Sequence, residues 1–192
     1  LMDVGEMQRL YRVLRTDFWI AMVALLCVLT AGVLAGVVIG VFLSLGYVIY
    51  LSYSPDMPLL GRHRDSQAFR NLDDDPTAIT YPGVLVMRID ASLFFVNSEA
   101  PEDRLRELYQ SADPPLYAIV LSFEGINFVD SQASDAVGKI IDNAHSRDID
   151  VGLSRVKARV RDVLERDGVV DRLGRDRLYA TTYEAVADLI QD

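Results

Sequence analysis
From Phe18 to Pro55 the chain runs for 38 residues without an Asp, Glu, Lys or Arg, fenced by Asp17 and Asp56. A helix rises about 1.5 Å per residue, so such a run would reach roughly 57 Å. A bilayer core is about 30 Å thick and takes about 20 residues. The run is too long for one span and slightly short for two ordinary spans with a polar turn. It therefore predicts two short transmembrane helices over 18–53, bent within Ala31 to Gly36 (AGVLAG), where glycine loosens a helix. The apolar core of a secretory signal is only about 7–15 residues long, so this run is not one.

The flanks set the direction. Arg9, Arg12 and Arg15 precede the run, and Arg62, His63 and Arg64 follow it. Positive residues near span ends stay in the cytoplasm, so the run goes in and comes back, with both termini cytoplasmic in a multi-pass cell (inner or plasma) membrane protein. Trp19 and Tyr47, Tyr50 and Tyr53 suit the two interfaces. Gly32, Gly36 and Gly40 recur every four residues, a strip that lets helices approach closely; a bare hairpin has little use for one, so further helices are expected as partners. Residues 1–17 read as a cytoplasmic lead-in. Within it Met7, Leu10, Tyr11 and Leu14 form one stripe and the arginines another, which suits an amphipathic helix on the membrane lipid.

Charge divides the chain. Residues 1–72 carry six Arg against five acids, a net of +1, and residues 73–192 carry 13 basic against 23 acidic residues, a net of −10. So acidic a half excludes nucleic acid as a partner, because phosphate contacts need Lys and Arg. Cys27, alone and inside the apolar run, cannot form an internal disulfide and reads as a small hydrophobe. His63 and His145 make no metal-ligand spacing, and no metal or cofactor is expected.

Beyond a linker over 54–67 the pattern is α/β, in a cytoplasmic domain over 68–192. Ala68 to Leu72 can form a first strand. Val84 to Asp90, Leu93 to Val96, the apolar Ala118 to Phe123 and Asp150 to Ser154 read as strands, with a short extended piece within Leu173 to Tyr179. Helices are expected from Asn97, Ser98 or Glu99 to about Ser111, over 131–146, over 156–167 with Gly168 as its stop, and over 182–190. The last lacks a full capping box when read from Thr182. Alternating strands and helices imply a sheet with a parallel portion.

Two stretches attract chemistry. Glu124 to Ser134 (EGINFVDSQAS) follows a buried strand and opens a helix, where open α/β sheets bind ligands. Asp130 or Ser131 can cap that helix, and the Ser131 hydroxyl would meet a positive helix end that favours an anion or a phosphate. A plain N-cap is the bland alternative. Asp130, Ser131, Gln132, Ala133 and Ser134 are the candidate ligand or phosphorylation loop. Arg155, Lys157, Arg159 and Arg161 form a basic cluster in an acidic domain, either a solvated helix start or a dock for an anionic group. No nucleophile elbow, P-loop or dinucleotide fingerprint occurs, so no enzyme is expected and no catalytic residue is named.

Asp17-Phe18-Trp19 leading into the glycine-punctuated run resembles the last two membrane helices of the sulfate permease (SulP) family of anion transporters. Downstream, Leu93-Phe94-Phe95-Val96-Asn97-Ser98, Phe128-Val129-Asp130-Ser131-Gln132-Ala133, Arg155-Val156-Lys157 and Gly168-Val169-Val170-Asp171 resemble the STAS domain of those transporters and of anti-sigma factor antagonists. The resemblance implies a mixed sheet with helices mainly on one side. It also implies a parent that is a secondary active transporter of sulfate, bicarbonate or a related anion, commonly a homodimer. In the antagonists the serine matching Ser131 is phosphorylated; this chain departs at Ala133, where that motif has Gly. The family has many more membrane segments, and its anion site lies in them. The chain is thus expected to be the C-terminal part of a transporter with a regulatory or scaffolding domain. The alternative is a membrane-tethered STAS protein that binds a partner through the Ser131 loop.

Overall fold
The computed structural model describes residues 15–53 and 55–190, which divide into two compact units at Leu51/Ser52. The first unit is a helical hairpin. Helix α1 spans Arg15–Ala31 and α2 spans Val33–Tyr53. The break falls at Gly32, whose φ of +92° is open to glycine and strained for L side chains. This is inside the stretch where a bend was expected. The amphipathic helix expected ahead of it lies outside the described residues, except for Arg15.

The glycine strip has a different use from the one expected. A Cβ on Gly36 would stand 2.2 Å from Val28 Cγ2 and 2.6 Å from Val28 N, and one on Gly40 would stand 3.2 Å from the Ala24 Cβ. Gly36 and Gly40 therefore let α1 and α2 touch each other, and Gly32 makes the turn between them. A bare hairpin does need the strip. The large side chains turned outward are instead Leu26, Leu29, Leu34, Phe42 and Ile49, all exposed.

The second unit opens with β1 (Leu60–Arg62), which pairs antiparallel with β2 (Phe69–Asn71). The stretch expected as linker thus contains a strand. Arg62 and Arg64, expected as topology signals, hold this region together: Arg62 Nε donates to Tyr81 Oη at 2.8 Å and Arg64 Nε to the Thr77 carbonyl at 3.0 Å.

The main sheet has the order β3-β4-β5-β6 and is parallel throughout, with β3 at Val84–Arg88, β4 at Ala118–Ser122, β5 at Asp150–Ser154 and β6 at Leu178–Tyr179. Antiparallel pairing enters at the β3 edge, where Leu59 bridges Met87. All five residues of β4 are buried, as a central strand covered on both faces requires. Successive side chains alternate between faces. Met87, Ile119, Leu121, Val151 and Leu153 join the larger core, with α3 (Ala100–Ser111), α4 (Ser131–His145), α5 (Ala158–Arg166) and α6 (Val169–Leu173). Val84, Val86, Ala118 and Val120 face the smaller core under α7 (Thr182–Leu189). The helices thus lie mainly on one side. Gly152 faces α7, where a Cβ would meet Tyr179 Cε2 at 2.9 Å and Leu189 Cδ1 at 3.2 Å.

Two local expectations are corrected. Leu93 to Val96 is not a strand: after one parallel bridge from Leu93 to Val129 the chain turns. The cause is Asn97, whose Oδ1 accepts from Phe94 N at 2.9 Å and whose Nδ2 donates to the Ser92 carbonyl at 3.1 Å. The last helix does carry a full capping box, one residue earlier than read. Thr181 Oγ1 accepts from Glu184 N at 3.1 Å, and Glu184 Oε2 accepts from Thr181 N at 3.2 Å.

Candidate functional site
The parallel strands β3, β4 and β5 all deliver their following loops to one edge of the sheet, so residues 89–99, 123–130 and 155–157 are gathered there. The first two loops are laced by backbone bonds, from Leu93 N to the Phe128 carbonyl at 3.0 Å and from Asp130 N to the Leu93 carbonyl at 3.3 Å. Gly125 is needed for this approach. A Cβ there would lie 2.4 Å from the Ile89 carbonyl oxygen and 2.7 Å from Asp90 Cα.

Asp130 is the N-cap of α4 and does two things. Its Oδ1 accepts from Ala133 N at 2.8 Å, and its Oδ2 accepts from Phe95 N at 2.8 Å. One carboxylate thus satisfies an orphan helix donor and clamps the neighbouring turn. Ser131 and Gln132 are exposed in the first turn, whereas Ala133 and Ser134 are buried. Among the described residues the Ser134 hydroxyl has no hydrogen-bond partner. Of the five loop candidates, only Ser131 and Gln132 are open to a partner.

The basic cluster joins this loop, which its distance in sequence did not reveal. Lys157 Nζ donates to the Glu124 carbonyl and to Asn127 Oδ1, both at 2.7 Å. Arg155 pairs with Glu124 at 2.9 Å. Arg155 also has a left-handed backbone (φ 56°), uncommon for a non-glycine residue, and its N–H donates to the Tyr179 carbonyl at 3.1 Å. The Arg159 guanidinium lies 5.7 Å from the Phe128 ring centre. Arg161 stays apart, paired along its own helix with Glu165 at 2.9 Å. Glu124 therefore offsets Arg155, while Lys157 rests on neutral oxygens and Arg159 on a ring. The edge carries two cations without a carboxylate partner among the described residues, beside the exposed Phe95 and Phe128. No cluster of three His, Cys, Asp or Glu among the described residues could hold a metal ion.

The STAS domain family model matches residues 75–187. The chain belongs to the STAS family. A probable sulfate transporter 4.2 of Arabidopsis thaliana is 31% identical over 186 residues, covering 92% of this chain and 28% of that protein. A probable sulfate transporter of Mycobacterium tuberculosis is 30% identical, covering 97% of this chain and 33% of that protein. This STAS chain thus spans about a third or less of the curated relatives it matches. The murine Solute Carrier 26 family member A9 anion transporter, solved in its inward-facing state, shares the fold with a TM-score of 0.88 at 20% identity, over 98% of this chain and 31% of that one. These relatives are membrane transporters. With the apolar helix α2, whose Val33–Tyr50 stretch has a mean hydropathy of 2.3, they give the chain a membrane location.

Proposed function
We propose that the chain is the C-terminal portion of a secondary active anion transporter of the sulfate or bicarbonate type, with the STAS domain in a regulatory or scaffolding role. The observation that carries this is the breadth of the likeness: 97% of the chain, hairpin included, matches a sulfate transporter at 30% identity. In this reading α1 and α2 cross the cell membrane and return, leaving both ends cytoplasmic. The 21 residues of α2 reach about 31 Å, enough for a bilayer core of about 30 Å. The apolar part of α1, Phe18–Ala31, is shorter, a mismatch that local thinning or neighbouring helices absorb. The outward Leu26, Leu29, Leu34, Phe42 and Ile49 would meet lipid and the transporter's other helices, which would hold the anion site. Association as a homodimer fits the same reading.

The edge formed by Ser131, Gln132, Lys157 and Arg159 would then be the regulatory dock. A phosphate on Ser131 would be favoured by the α4 N-terminus and by the two uncompensated cations nearby. Uptake of labelled sulfate and bicarbonate by cells making only this chain, with membrane insertion verified, tests the proposal. Insertion without saturable uptake is expected. Saturable uptake would mean that two helices suffice for transport, and would overturn it.

A further inference from the structure
The turn that ends at Asn97 is bonded in two directions. Toward α4, Phe95 N donates to Asp130 Oδ2 at 2.8 Å. Toward α2, Asn97 Nδ2 donates to the Ser52 carbonyl at 3.0 Å, as well as to the Ser92 carbonyl at 3.1 Å. Ser52 and Tyr53 are the last two residues of α2, and both belong to the second unit. Asn97 Oδ1 accepts from Phe94 N, and Asn97 N donates to the Phe94 carbonyl, each at 2.9 Å. The Asn97 side chain is thus fully engaged, and the residue is only 2% exposed. The last four carbonyls of a helix have no donor within it and take one from outside. Asn97 supplies such a donor at Ser52, while the amide of Phe95 is held by the N-cap of α4. Asp130 and Asn97 hold one turn between them.

We infer that Asn97 is a positioning residue that carries the state of the Ser131 edge to the end of α2. The inference rests on reading that edge as a regulatory dock. Asp130 occupies the positive N-terminal end of α4, which an anion on Ser131 would also seek. A negative charge on the next residue repels the Asp130 carboxylate and competes for the same N–H groups. The hold on Phe95 N then loosens, the turn relaxes, and Asn97 gives up the Ser52 carbonyl. An empty edge keeps the final turn of α2 fastened, and a charged one releases it.

Amide hydrogen exchange of the whole chain in detergent micelles tests this, with Ser131→Glu as the added charge and Ser131→Ala as its control. Ser131→Glu should speed exchange at Phe95 and at Tyr53 by about two- to tenfold each, the worth of one hydrogen bond. The amides of β4 should not move, and Ser131→Ala should change neither residue. Asn97→Asp at pH 7 keeps an acceptor for Phe94 N but offers Ser52 no donor. In that background Tyr53 should already exchange fast, and Ser131→Glu should act on Phe95 alone. Asp130→Ala breaks the same path one step earlier with Asn97 in place, and should also speed Tyr53. Phe95 responding to Ser131→Glu without Tyr53 would overturn the role of Asn97 and leave the dock standing. Neither amide responding would remove the dock as well. Tyr53 responding equally in the Asn97→Asp background, or staying unmoved in Asp130→Ala, would also overturn the inference. The transport reading is judged separately, by uptake.

Discussion

Replacing Asp130 by Ala tests whether the candidate loop is held by one side chain. The carboxylate makes two charge-assisted bonds, to Ala133 N and Phe95 N, both at 2.8 Å. Losing the N-cap costs about 0.5–2 kcal/mol. Losing a second bond to an ionised acceptor costs about 1.5–3 kcal/mol where the donor stays buried. Phe95 is 67% exposed, so its freed N–H can reach water, and the lower end of that range applies. The sum is about 2–3 kcal/mol. In a chain of this size each kcal/mol moves the melting midpoint by about 2–4 °C, so Asp130→Ala should lower it by roughly 5–10 °C. Asp130→Asn keeps one acceptor oxygen but turns an NH2 group toward the other N–H, and should lose about half as much. Urea unfolding of the detergent-solubilised chain, followed by far-UV circular dichroism, gives the free energy. Amide exchange at Ala133 and Phe95 should accelerate before exchange in β4 does. Ser131→Ala, at the exposed neighbour, should be close to neutral. A loss below about 0.5 kcal/mol for Asp130→Ala, the scale of an ordinary surface substitution, would refute the clamp.

Other substitutions probe separate parts of the structure. Gly36→Val should splay the hairpin, because its Cβ would run into the Val28 backbone, whereas Gly46→Val should be tolerated, since nothing lies within 4 Å of a Cβ there; protease resistance of the two variants in detergent distinguishes them. Thr181→Ala removes the capping box of α7 and should cost about 1 kcal/mol of unfolding free energy. Burial holds the Tyr109 and Tyr179 hydroxyls above the ordinary value of 10.0, with a hydrogen bond to Asp188 adding to the rise at Tyr179. The unfolded chain releases those protons first, so the stability they contribute is intact below about pH 10 and is lost as pH climbs through the folded values. Tyr109→Phe should flatten that loss, measured as the melting midpoint against pH.

The strands of the main sheet were legible because their signal is local. Val84 to Arg88 and Ala118 to Ser122 are short, mostly apolar runs, Asp150 to Ser154 alternates around Val151 and Leu153, and all three stand where the pattern puts them. The break at Gly32 was legible for the same reason. What escaped depends on residues distant in sequence. Leu93 to Val96 has strand composition, but the Asn97 side chain folds back and turns it. The pairing of β1 with β2 is set by a turn, not by a period. The glycine spacing showed a surface for close approach but not whose surface: Val28 and Ala24 of the same hairpin fill it.

At the candidate site, the loop and the cap were readable from Asp130 and Ser131 in order. Lys157 gripping Glu124 and Asn127 was not, although β4 and β5 being parallel neighbours brings their following loops to one edge. The capping box at Thr181 and Glu184 was present in the letters and missed by one residue.

If this chain supplies the C-terminal part of an anion transporter and not its anion site, transport should need this chain yet not arise from it alone. Labelled sulfate uptake tests it most directly when the segment of the Mycobacterium tuberculosis relative matched by this chain is deleted, or replaced by the whole of this chain. Deletion should abolish saturable uptake, the replacement should restore it, and this chain alone should give none. A correctly inserted replacement no better than the deletion, or saturable uptake by this chain alone, would contradict it.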